Sequence, residues 1–171
     1  MRISRFPNIV DDVTVRLIAG VVLVLGVLAL AAHQWWLYAV LAADFVLRAG
    51  WGPSASPVAR FVGRLVRPRV AAAPRYTAGP PKRFAATIGA VLTLAATGLW
   101  LAGASVPVVV IGVVMVVFPA LEALAGICVG CLVFAGLMRL GLIPESICVD
   151  CANIGRRAAA RSTAAAEPVA R

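Results

Sequence analysis

The chain has 171 residues, of which 62% are apolar and only 13% charged, about half the charge of an ordinary soluble domain. Its mean hydropathy of +0.97 and several long uncharged runs exclude a soluble enzyme built around a large core and predict helices that cross a membrane. The net charge of +9 is distributed as membrane topology requires, which argues against nucleic-acid binding.

The N-terminal stretch "MRISRFPNIVDDVTVRL" carries charge up to the first apolar run, and no A-x-A-like cleavage site follows that run. The first run is therefore expected to remain as a membrane span rather than a removed signal. It covers about 13–32 and should begin near Asp11 or Asp12, where a carboxylate caps free N–H groups. The turn "HQWW", His33–Trp36, is so short that the next span, about 35–49, must return antiparallel. That second span is short and crosses only if Trp35, Trp36 and Trp51 serve as its interfacial ends.

A middle segment follows. Ser56 can cap a helix and Pro57 suits its first position. Val58, Phe61, Val62, Leu65 and Val66 take one face, while Arg60, Arg64 and Arg67 take the other. The pattern predicts an amphipathic helix over about 57–67, lying on an anionic inner leaflet with those arginines toward lipid phosphates. "PRYTAGPPKR" is Pro- and Gly-punctuated and reads as a turn-rich link. Span three covers about 84–103, with Ala85, Gly89 and Thr93 at a spacing that suits close helix packing. After the turn "GAS", span four covers about 106–125.

The apolar run that contains span four extends from Val106 to Met138, broken only by Glu122. As one helix it would be roughly 50 Å long, well beyond a ~30 Å hydrocarbon core. Pro119 can kink it, and Gly126 and Gly130 can loosen it further. A fifth span over Leu132–Ile143 is disfavoured, because it is short, contains Arg139 and would place Arg156, Arg157 and Arg161 outside. "GICVGC", Gly126–Cys131, is thus expected at the cytoplasmic boundary, followed by a surface helix over about 127–140. Residues 144–155 carry a second cysteine pair, and 156–171 read as a disordered tail. Neither "HQWW" nor "GAS" contains Lys or Arg, so both termini and the middle segment fall on the cytoplasmic side. The predicted fold is an all-α, four-helix integral membrane bundle with an interfacial helix between spans two and three.

Few side chains can carry chemistry. Asp44 lies about 13 Å into span two, Arg48 follows one turn later, and Glu122 lies about 24 Å down span four. Charges at such depth mark function by default, although the three could instead neutralise one another to fix helix packing. Cys128, Cys131, Cys148 and Cys151 form C-x2-C-x16-C-x2-C. That spacing fits four thiolates around one zinc ion. It equally fits thiol–disulfide exchange, in which one thiolate attacks and the other resolves. Arg139, Arg156 and Arg157 favour thiolates in either case. Four inert buried cysteines are the plain alternative, and transport of a soft metal ion is a further one, lacking an outer thiol to load it. His33 sits in the outer turn and reads as interface polarity. The chain contains no phosphate-binding Gly-rich loop and no Ser-His-Asp set.

The segments "RFPNIVDDVTVRLIAG", "DFVLRAGWGPSASPVAR", "GPPKRFAATIG" and "EALAGICVGC" occur in this order. Together they resemble the small bacterial membrane proteins of domain-of-unknown-function family 4395, from about Phe6 to Gly141. The resemblance implies a multi-span membrane domain, often encoded near thioredoxin-like proteins and rhodanese-type sulfurtransferases. It places the family's cysteine motif on Cys128 and Cys131 and its span-two charges on Asp44 and Arg48. Cys148 and Cys151 lie beyond it. The expected function is a bacterial inner-membrane thiol protein, relaying electrons or sulfane sulfur with a thioredoxin-like or rhodanese-type partner. The alternative is an accessory subunit of a larger membrane complex, with a structural zinc held by all four cysteines.

Overall fold

A computed structural model describes residues 7–144 and Ile147. The chain is all-α apart from one small ribbon. Asp11 caps α1 (Asp12–Ala31) by accepting from the Val13 amide, so the carboxylate expected at this helix start is in place. The turn at His33, whose φ is 52°, leads into α2 (Trp36–Trp51). After a short helix and a link come α4 (Gly79–Leu101) and α5 (Ser105–Ala120), which continues through a wide π-type turn, Leu121–Ala125. Three helical stretches are long and apolar enough to cross a membrane: Asp12–Ala31, Gly79–Leu101 and Ser105–Ala125. With 16 residues, α2 is about 24 Å long, short for a span, as its sequence implied.

The four long helices form a bundle in which α2 packs chiefly on α4 and α1 chiefly on α5. The hairpin partners α1 and α2 are thus not each other's main neighbours. Contact is closest at small residues. A Cβ on Gly89 would lie 2.6 Å from the Phe45 ring, and one on Gly26 would lie 3.0 Å from the Met115 carbonyl oxygen. Thr93, fully buried, donates to the Gly89 carbonyl at 2.7 Å, so the hydroxyl is satisfied within its own helix. The outer faces are apolar and open: Val24 and Leu28 on α1, Val91 and Leu94 on α4, and Val106 and Val110 on α5 stand exposed.

Three features depart from the sequence reading. First, Ile9–Asp11 (β1) pairs antiparallel with Tyr76–Ala78 (β2), with Val10 opposite Thr77. The stretch read as a loose link is therefore tied to the start of α1, and α4 begins at Gly79, five residues before the expected 84. Asp11 is the knot: it accepts from Thr14, from the Arg67 guanidinium at 2.9 Å and from the Arg75 amide at 3.0 Å. Burial pushes its carboxyl up, but these donors outweigh that and hold it at about 2, so Asp11 stays ionised at neutral pH.

Second, the segment after α2 is not one amphipathic helix. Ser56 caps α3 (Pro57–Phe61) as expected, accepting from Ala59 at 3.0 Å. The chain then runs through a π-type turn, Val62–Val66, and a tight turn, Arg67–Arg69. Ala59 and Val62 face the bundle, while Phe61 and Leu65 join Arg60 and Arg64 on the open side. Arg67, expected against lipid phosphate, turns inward to Asp11.

Third, α6 (Val129–Arg139), the surface helix expected over about 127–140, begins two residues later than expected and keeps Leu132 and Val133 exposed. It packs against the first turns of α4, with the Phe84 and Phe134 rings 5.6 Å apart. The long apolar run breaks because Pro119 supplies no N–H and a π-type turn follows it. Gly126 then takes a left-handed φ of 71°, a conformation that stops a helix at glycine. On α6, a Cβ at Gly130 would lie 2.5 Å from that of Ala85. Gly130→Ala is therefore expected to push α6 off α4 and destabilise the protein by about 1–3 kcal/mol. Adding Ala85→Gly should recover only part of that loss, because the Ala85 Cα itself lies 2.7 Å from the new Cβ, as read by unfolding midpoints of the single and double variants. Failure of the second change to compensate would show that the contact is not what holds α6.

Candidate functional site

Two groups of charges lie at the end of the bundle where α1 and α4 begin and α2 ends. In the first, Asp44 is 2% exposed. It accepts from the Arg48 guanidinium, from the Ser56 hydroxyl at 2.6 Å and from the Val58 amide at 2.9 Å. One carboxylate thus neutralises a cation on its own helix and caps the first turn of α3. Such saturation of its acceptor positions is what makes a buried carboxylate tolerable. Among the described residues, Arg48 Nε is buried without a partner. The expected Asp44–Arg48 pair forms, and through Ser56 and Val58 it ties the start of α3 to α2.

Glu122 is not joined to that pair. It accepts from Lys82 at 2.7 Å, and Lys82 also reaches Asp12 at 3.4 Å, while Asp12 pairs with Arg16 at 2.9 Å. The Lys82 and Glu122 side chains are only 10% and 17% exposed. Sequence reasoning missed Lys82 because it falls at the edge of span three, in a stretch read as a link. Its signal was available: it is the single lysine among sixteen basic residues. Lysine offers a compact charge on a flexible stem, suited to bridging two carboxylates that arginine's planar fork would not fit in the same way.

The cysteine pair sits beside this network. The break at Gly126 leaves Cys128 in extended backbone as the residue that begins α6, and Cys131 falls on the first turn. Cys128 is buried and Cys131 half-buried, and neither forms a disulfide among the described residues. The Cys131 thiol, turned to the Cys128 sulfur, holds the Cys128 thiol below its ordinary value; burial and Glu122 oppose this, and Lys82 assists it. Cys131 is pushed up, first by that same contact and then by burial. A helix N-terminus adds positive potential where Cys128 lies. The pair is thus asymmetric: Cys128 is buried at the helix start and is the more acidic thiol, while Cys131 is the more accessible.

A cavity of about 470 Å³ lies between α1, α2, α4, α5 and α6, within the ~300–1,000 Å³ typical of small-molecule sites. Cys128, Lys82, Glu122 and Arg48 line its inner part, and the remainder is apolar, with Val22, Leu92 and Met115 on its walls. The sequence assigned Cys128, Arg48 and Glu122 to chemistry but gave no sign that they share one cavity.

Cys148, Cys151 and the tail after Gly155 lie outside the described residues. Among the described residues, no three His, Cys, Asp or Glu side chains gather as a metal site. Two of the four ligands of the zinc reading are therefore together, and the other two are beyond what is described. Arg60 and Arg64 remain exposed, and His33 meets the Trp35 ring edge-on at 5.3 Å.

The family described as "Domain of unknown function (DUF4395)" matches residues 10–139. No curated protein and no solved structure matches the chain.

Proposed function

Taking as premise that the chain belongs to the DUF4395 family, we propose that it is a four-span protein of the bacterial cytoplasmic membrane whose dithiol relays reducing equivalents. Both termini and the 52–78 segment face the cytoplasm. The exposed valines and leucines on the outer faces of α1, α4 and α5 support the membrane placement, since open apolar faces of this extent belong against lipid. Arg60 and Arg64, beside exposed Phe61 and Leu65, suit an anionic inner leaflet.

The observation that carries the redox reading is the asymmetry of Cys128 and Cys131. In the oxidised chain the two form a disulfide. An incoming thiolate attacks the more accessible Cys131 sulfur, and the S–S electron pair leaves on Cys128, the better leaving group because its thiol is the more acidic. A second thiol of the donor then displaces Cys131, so the donor is oxidised to a disulfide and the chain reduced to a dithiol. The donor is the Cys148–Cys151 pair, itself served by a thioredoxin-like protein. A rhodanese-type partner fits the same thiolate, which would accept sulfane sulfur from a persulfide and release the partner's thiol.

Topology and partner can be tested in one preparation of inverted membrane vesicles. Single-cysteine variants at 54 and 167 should label with a membrane-impermeant maleimide in inverted vesicles and not in intact cells, whereas one at 104 should do the reverse. Thioredoxin with its reductase should reduce the oxidised chain in the inverted vesicles. Labelling of position 104 from the cytoplasmic side would overturn the orientation. No reduction by thioredoxin or by a persulfide-loaded sulfurtransferase would overturn the relay.

A further inference from the structure

The cavity beside Cys128 has a use that an aqueous partner does not explain. A water-soluble protein meets the dithiol at Cys131. Cys128 instead is buried and borders an apolar space between helices. The cavity wall changes character along its length. Its inner part carries a thiol, the Lys82–Glu122 pair and the Arg48 side chain, whose Nε has no partner among the described residues. Its deeper part, between Val22, Leu92 and Met115, is wholly apolar. An occupant that fits both parts has a hydrogen-bond-accepting head and a hydrocarbon tail. One that also answers the chemistry of Cys128 accepts two electrons.

We propose that the cavity binds a lipid-soluble para-quinone, its carbonyl head between Lys82 and Cys128 and its tail toward Met115, and that this quinone oxidises the dithiol. The proposal rests on the redox reading of Cys128 and Cys131. The step balances as written. Cys128 and Cys131 give up two electrons and two protons as their S–S bond forms, and the two quinone carbonyl oxygens take them up to give the hydroquinone. Glu122, held by Lys82 at 2.7 Å and bordering the same cavity as Cys128, receives the Cys131 proton and returns it to the head. Two features favour a quinone over a phospholipid chain in the same space. The titratable groups converge at one end only, and a phospholipid would leave the thiol without a reaction.

The test uses the full chain in lipid nanodiscs, with a fully substituted benzoquinone carrying a ten-carbon tail, so that no ring position is open to thiol addition. The reduced chain should lose two thiols for each quinone reduced, read by thiol count and by quinone absorbance, and Cys128→Ser should lose none. Cys128→Ser should still bind the quinone saturably above empty nanodiscs. Ala86→Phe, which fills the cavity wall, should weaken that binding at least tenfold. If Ala86→Phe does not fold, Ala19→Leu on the facing wall serves the same purpose. Quinone uptake equal to that of empty nanodiscs, or saturable uptake without thiol loss, overturns the proposal. If thioredoxin cycles the dithiol while the quinone does not, the cavity assignment falls and the relay stands. If neither does, both fall.

Discussion

Asp44→Ala is expected to destabilise the protein by about 3–5 kcal/mol, the range for removing one partner of a buried ion pair. The change would leave Arg48 as an uncompensated cation between helices. It would also strip the Ser56 hydroxyl and the Val58 amide of their acceptor, so α3 would lose its attachment as well as its cap. Asp44→Asn keeps an oxygen for Ser56 and Val58 but not the charge, and should fall between the two. Unfolding in a mixed-detergent titration, followed by tryptophan emission, measures both. A loss below about 1 kcal/mol for the alanine variant, the range of an exposed pair, would mean that water reaches Arg48 and that the pair is not structural.

The second large effect concerns which sulfur does what. Cys128→Ser leaves Cys131 as the accessible sulfur with no neighbour to resolve it. With oxidised glutathione as probe, this variant should accumulate a stable mixed disulfide on Cys131. Cys131→Ser should form little, because Cys128 faces the cavity rather than the aqueous side. Both variants should lose turnover with a dithiol donor to background. The pH dependence is also directional: alkylation of Cys128 by a small apolar maleimide should half-saturate below the ordinary thiol value, since the contact from Cys131 lowers it. In Cys131→Ala, which removes that contact outright, the midpoint should rise. Equal trapping on both sulfurs, or a Cys128 midpoint above that of a free thiol, would remove the asymmetry on which the relay depends.

Much of this arrangement is legible in the sequence. The helix start at Asp11, the Ser56 cap, the Asp44–Arg48 pair and the end of span four at Gly126 each rest on a local rule, a cap, an i,i+4 spacing or a helix-stopping glycine. The β1–β2 ribbon was not legible. Its strands are three residues each, too short for alternation to register, and they pair across some sixty residues of intervening chain. The turning of Arg67 to Asp11 depends on that ribbon and was hidden with it. Lys82 was missed for another reason. Its partners, Asp12 and Glu122, come from helices far apart in sequence, and only packing brings them to one point. The cavity is likewise a property of five helices together, and no single stretch encodes it. The placement of Glu122 shows the limit of depth arguments: counting turns put it in the same half of the membrane as Arg48, and the two do border one cavity, yet the ion pair it makes is with a residue on a third helix.

The central claim is that Cys128 and Cys131 are a redox dithiol rather than half of a metal site. Metal content and thiol state, measured on one preparation of the full chain purified without reductant or chelator, decide it most directly. The relay predicts no stoichiometric zinc, thiols that alkylate freely after reduction, and a Cys128–Cys131 disulfide found by peptide mass after a mild oxidant. One tightly held zinc per chain, with all four cysteines protected from alkylation until the metal is removed, would contradict it.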